Sequence, residues 1–189
     1  MPQVQVYVSV PLPVDEVFWF LADGANLPRW HSGVMEIRPE DPGGPVWGEG
    51  CTYQYRFPGR HRDFRLACCA YEPGNRVGFV GERMWTPLGT QLPRYDFRVW
   101  PQGRGCRVGL QVTSHLAGGM LALWPVVAMG WRRDLPEDAQ RLHDVLTGTE
   151  ETAEIGFEPG FACIEAITPR PRAQHRRPTR RFRLPATHV

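Results

Sequence analysis

The chain contains no lysine, so all 22 of its basic residues are arginine. That absence excludes a Schiff-base lysine and the lysine of a phosphate-binding loop. Long apolar runs are also missing. The longest candidate, Met120 to Trp131, falls short of the roughly 18 to 20 residues that a membrane span requires. The opening stretch, Met1 to Val10, lacks the basic region, apolar stretch and small-residue cleavage site of a signal peptide. A cytoplasmic protein with no membrane partner is the expectation. The five cysteines (Cys51, Cys68, Cys69, Cys106 and Cys163) include no C-x-x-C pair, and the six histidines include no H-x-x-x-H pair. Buried free thiols are expected in place of a disulfide or metal framework, and no cofactor is implied.

What is present has globular composition, 42% hydrophobic and 11% aromatic in 189 residues. That suits one domain with a real core and roughly forty residues left over. Charge divides along the chain. Residues 1 to 149 hold 15 Arg against 15 acidic residues, 150 to 167 hold five Glu and no base, and 168 to 189 hold seven Arg and no acid. These shifts place a domain at 1–148 and an extension at 149–189, acidic and then Pro/Arg-rich. Segment 169 to 185 has too little apolar surface to order itself and reads as an extended or disordered arm. It is the chain's only hint of a nucleic-acid or acidic partner, against the simpler reading of a solvated tail that folds back on residues 150 to 158.

Periodicity then sets the elements. Val4, Val6 and Val8 alternate with Gln3, Gln5 and Tyr7 in a half-buried strand that ends at Pro11. Pro13 opens a helix with Asp15 and Glu16 in its first turn and Val14, Val17, Phe18 and Leu21 on one face. Asn26 to Trp30 fits one more helical turn. Strands follow at Val34–Arg38, Gly50–Phe57, Arg62–Tyr71, Arg76–Arg83, Arg94–Trp100 and Cys106–His115, with short Gly- and Pro-rich separators that imply antiparallel hairpins. After Ser114 the period becomes helical, through Leu116, Met120, Leu123, Val127, Trp131, Leu135, Ala139, Leu142 and Leu146. Pro125 and Pro136 predict a kink or break in that helix. The fold class is therefore α+β, with a curved antiparallel sheet of about seven strands wrapped around a long C-terminal helix and two short helices after the first strand.

Alternation also predicts which side chains face the helix. Cys51, Tyr53, Tyr55 and Phe57 turn inward, as do Phe64, Leu66, Cys68 and Ala70, then Tyr95, Phe97 and Val99, and Cys106, Val108, Leu110, Val112 and Ser114. Arg65, Arg94, Asp96, Arg98, Arg107 and Gln111 turn outward. The enclosed space is then aromatic, with hydroxyls and thiols as its polar groups. Charged residues enter it only from loops or strand ends, at His61, Arg83 and His31. Tyr53, Tyr55, Tyr95 and His61 are the candidate proton donors or acceptors. Trp30, Met35, Phe64, Leu66, Cys68, Phe79, Trp85, Phe97, Leu110, Ser114, Met120 and Trp124 are the candidate ligand contacts. Core packing is the competing reading for each aromatic residue, and a solvated loop histidine is the competing reading for His61.

The order strand, two short helices, six strands, long helix resembles the START-like (Bet v 1-like, SRPBCC) superfamily, and within it the polyketide cyclase/dehydrase group. The matching segments are Val10 to Phe18, Asn26-Leu27-Pro28-Arg29-Trp30-His31, Trp47-Gly48-Glu49-Gly50, Tyr71 to Val77, Tyr95 to Val99 with Gly103 to Val108, and Arg133 to Leu142. The resemblance implies a helix-grip fold and a polyketide-like or other hydrophobic small-molecule ligand held between sheet and helix. It also implies cyclisation or dehydration in secondary metabolism, such as antibiotic biosynthesis, with a tyrosine proton relay. Aromatase/cyclase members carry an inward arginine at the position of Ala70, an inward serine at that of Cys68 and an inward aromatic residue at that of Tyr95. The carbonyl-polarising arginine is thus missing here. A non-catalytic carrier or sensor remains the alternative to an enzyme, and a homodimer stays open.

Overall fold

β-branched alternation in Gln3–Val10 produces strand β1, whose valines are all buried. The computed structural model describes residues 3–45, 47–148 and 155–157. Helix α1 (Val14–Ala22) follows Pro13 and buries Val17, Phe18, Leu21 and Ala22. A 3-10 helix (Gly24–Arg29) comes next, started by the Asp23 carboxylate, which accepts the Ala25 N–H at 2.9 Å. Strands β2 (Glu36–Pro39), β3 (Thr52–Arg56), β4 (Asp63–Glu72), β5 (Arg76–Gly81), β6 (Met84–Thr86), β7 (Gly89–Gln102) and β8 (Gly105–Gly118) lead through a second 3-10 helix (Gly119–Leu123) to α2 (Trp124–Thr147). β9 (Ile155–Phe157) returns to the sheet.

Every pairing is antiparallel, in the order β2-β3-β4-β5-β7-β8-β1-β9, with β6 on β7. The sheet curls around α2 without closing, which is the expected helix grip. α2 turns Ala128, Trp131, Leu135, Ala139 and Leu142 into the core at spacings of three and four. On the facing sheet, Phe79 pairs with Tyr95, Tyr95 with Val112 and Val112 with Val4, so one inner row of side chains crosses four strands.

Several expectations need correction. The helical period does not begin after Ser114, because β8 runs on to Gly118 and Leu116 is a buried strand residue. Pro125 lies in the first turn of α2, where its missing N–H costs nothing. At Pro136 the helix continues without a break. The bridge between β4 and β5 skips Cys69, a bulge that reverses the alternation. Ala70 therefore faces outward beside Gly78 and Asp96, and Tyr71 turns in against Phe18. Asp96 does face outward but is not solvated, since the Arg76 guanidinium donates to both its oxygens and leaves it 5% exposed. Cys51, Cys68 and Cys106 are buried free thiols, and Cys69 is half-buried and free. The arm at 169 to 185 and Cys163 lie outside the described residues, whereas Ile155–Phe157, within the extension, forms β9. Among the described residues, no helix is long and apolar enough to cross a membrane.

Candidate functional site

The first 3-10 helix buries Trp30 at its end, and the next residue, His31, is carried inside with it at 2% exposure. Across from it, Asp138 occupies the core-facing stripe of α2 between Leu135 and Leu142, fully buried. A carboxylate there must be met by donors. Ser32 provides two, its backbone N–H at 2.9 Å to Oδ1 and its hydroxyl at 3.0 Å to Oδ2. His31 stands against it as well, with Nδ1 at 3.1 Å from Oδ2 and neither side chain exposed. The Gly33 N–H donates to Nδ1 at 3.0 Å. In that bond Nδ1 is the acceptor, so the neutral imidazole carries its proton on Nε2. His31 Nε2 is buried without a hydrogen-bond partner.

The imidazole stands edge-on to two rings, Tyr95 at 4.8 Å and Trp131 at 6.1 Å between centroids. Trp131 donates its indole N–H to Ser114 Oγ at 3.1 Å, and Gln91 donates to the same oxygen at 3.3 Å. The hydroxyls of Tyr95 and Tyr55 are buried without partners, like His31 Nε2. Burial pushes the Tyr95 phenol far above its usual range, with the neighbouring Tyr55 and Asp138 charges adding to the effect. Burial raises Tyr55 in the same way, and raises Tyr53 to about 12 even though the Gly24 N–H donates to its oxygen at 3.3 Å. These phenols are proton donors and hydrogen-bonding groups, not phenolates.

A mainly apolar pocket of about 270 Å³ opens beside this cluster. Phe57, Pro58, Val127 and Trp131 form its greasy wall, Gly130 its helix side, and Ser32, Gly33, Gln91 and Asp134 its polar rim. Gly33 matters sterically, because a Cβ there would sit 3.1 Å from His31 Cε1 and 3.4 Å from the Trp131 ring. A larger groove of about 490 Å³, near Glu40, Gln54, Phe64 and Arg65, is polar. Its Arg65 and Glu82 are already paired, with Glu40 and Arg62.

The residues singled out from the sequence separate into two groups. Tyr53, Tyr55, Tyr95, Trp30, Phe64, Leu66, Cys68, Phe79, Phe97 and Leu110 are buried together in the grip, Ser114 is buried as well, and Met120 is buried in the second 3-10 helix. Met35, Trp85 and Trp124 are exposed at 57%, 75% and 54%, and His61 is exposed in the turn before β4. None of them lines the 270 Å³ pocket, although Ser114 stands directly behind it through Trp131 and Gln91. Asp138 escaped the sequence reading. Its signal was a lone carboxylate inside an apolar stripe.

A family model described as polyketide cyclase / dehydrase and lipid transport matches residues 1–147. No curated protein matches the chain. Among solved structures, the Thermus thermophilus protein TTHA0849 is 16% identical, covers 79% of this chain and all of its own, and superposes with a TM-score of 0.59. Ara h 8.0201 gives 12% identity, 78% and 98% coverage, and a TM-score of 0.58. DynU16, from the dynemicin biosynthetic locus, gives 20% identity over 79% of this chain and 49% of its own, with a TM-score of 0.50. At these identities the likeness is one of fold.

Proposed function

Because the chain belongs to the polyketide cyclase / dehydrase and lipid transport family, we propose that it binds one largely apolar, polyketide-like molecule between sheet and C-terminal helix and promotes its cyclisation or dehydration. The observation that carries this reading is the apolar pocket beside Trp131 with unpartnered buried hydroxyls, Tyr55 and Tyr95, in the interior behind it. Apolar walls hold a ligand through burial of its surface, and a few polar atoms orient it. Holding a flexible chain in one conformer brings its reacting carbons together. Tyr55 and Tyr95 relay protons as hydrogen-bond donors to a carbonyl or leaving oxygen. Tyr55→Phe should leave affinity within a few fold and lower turnover by roughly 10²- to 10⁴-fold. A carrier is the second reading, favoured by the raised phenols, since none of them can act as a base at neutral pH. In a carrier Tyr55→Phe alters affinity alone.

A further inference from the structure

Four hydrogen-bond donors border the pocket beside Trp131, and the protein itself already uses all of them. Both donors of Ser32 go to Asp138, the Gly33 N–H goes to His31 Nδ1, and the Trp131 indole N–H goes to Ser114 Oγ. Gln91 commits one N–H of its amide to the same Ser114 oxygen. What the polar side chains of the wall still offer a ligand is mostly acceptor.

Resting on the function just proposed, we infer that this pocket selects neutral ligands that bring a hydroxyl, as a phenol or an enol, on a flat apolar body, and rejects carboxylates, with Asp134 and Gln91 as the residues that set the choice. Asp134 lines the pocket with one oxygen, Oδ1, held by the Arg133 Nε–H at 2.9 Å, whereas among the described residues nothing donates to Oδ2. Gln91 keeps its Oε1 and a second N–H. Charge points the same way. Among the described residues the wall carries the Asp134 carboxylate and no cation, and the Arg133 side chain lies outside it, 81% exposed.

A hydroxyl supplies the proton that the wall lacks, and its bond to a carboxylate oxygen is roughly twice as strong as one between neutral groups. An ether of the same shape displaces water from Oδ2 and puts no donor in its place. Because the Asp134 side chain is 34% exposed, solvent returns part of that loss, so the discrimination should be about tenfold and not the far larger ratio of a sealed site. A carboxylate fares worse. It gives up hydration against Phe57, Val127 and Trp131 and meets a like charge with no cation beside it. An ammonium finds Asp134 already paired with Arg133, which offsets only part of the cost of stripping its water.

Four naphthalenes of similar shape test this by equilibrium dialysis against the full-length protein at neutral pH: 2-naphthol, 2-methoxynaphthalene, 2-naphthoate and 2-naphthylmethylammonium. The naphthol should bind best, with the ether about tenfold weaker and the ammonium also weaker. The naphthoate should not bind at concentrations that saturate the protein with the naphthol. Asp134→Asn keeps an acceptor and removes the charge, so naphthol affinity should stay within a few fold while the naphthoate rises to about the level of the ether. With Asp134→Leu and Gln91→Leu combined, naphthol and ether should bind alike. An ether, acid or ammonium that binds the wild type as tightly as the naphthol overturns the inference while upholding the pocket. A naphthol preference that survives in the double variant overturns the assignment to Asp134 and Gln91. If none of the four binds, the function reading fails and the inference falls with it. Should the variants not fold, the ranking on the wild type decides the matter alone.

Discussion

His31 Nδ1 lies 3.1 Å from Asp138 Oδ2, with both side chains fully buried, and this contact ties the loop after the first 3-10 helix to the middle of α2. The same carboxylate satisfies the N–H and hydroxyl of Ser32. Asp138→Ala would leave both Ser32 donors without their acceptor and should cost about 3 to 5 kcal/mol, the usual penalty for breaking a buried charged cluster. Asp138→Asn keeps an acceptor oxygen and should cost clearly less. Urea unfolding of the two variants checks the order. Equal losses in both would place the stabilisation in the charge and not in the hydrogen bonds.

Alkaline pH should weaken the fold. Burial raises the folded pKa of Tyr53 to about 12, and those of Tyr55 and Tyr95 in the same direction. The unfolded chain gives up these protons first, near its ordinary value of about 10. Stability from this source is therefore intact below about pH 10 and falls above it, for Tyr53 up to about pH 12, at about 1.4 kcal/mol per pH unit for each tyrosine. Denaturant midpoints measured across that range should decline as phenolate absorbance appears. A flat profile would mean that the phenols are reached by solvent in the folded state.

Leu142 is fully buried on the core stripe of α2. Leu142→Ala should cost roughly 2 to 5 kcal/mol, as large-to-small core changes do. A loss under about half a kcal/mol would be the value of a surface residue and would contradict the helix register described above.

Much of this architecture is legible from periodicity because each inner face is strictly apolar. Tyr53, Tyr55, Tyr95, Phe97, Val108 and Leu110 all turn inward as alternation requires. Alternation fails at Cys69, where one unpaired residue reverses the pattern without changing its hydrophobicity, so Ala70 and Tyr71 exchange faces. Leu116 looks helical because a buried strand residue and a helix residue carry the same apolar signal at that spacing. β6 and β9 are three residues each, too short for any period to show.

The site was harder to read than the fold. Large aromatic side chains were natural candidates for a ligand wall, yet Phe79, Phe97, Tyr95 and Tyr55 fill the interior themselves and push the open volume to the end near Trp131. Small and polar residues, Ser32, Gly33 and Gly130, shape that volume, and such residues carry little sequence signal. The pairing of His31 with Asp138 needs the tertiary fold, since the two come from opposite ends of the domain.

The central claim, that the pocket beside Trp131 receives the ligand, rests most directly on Gly130. This residue lines the pocket from α2, and a Cβ built on it meets nothing within 4 Å, so a side chain can start there without a clash. An environment-sensitive naphthalene dye should bind the wild type at about one site per chain. In Gly130→Trp, with unfolding and circular dichroism unchanged, that binding should fall by at least about tenfold, near 1.4 kcal/mol. A folded Gly130→Trp protein that binds the dye as tightly as the wild type would contradict the account.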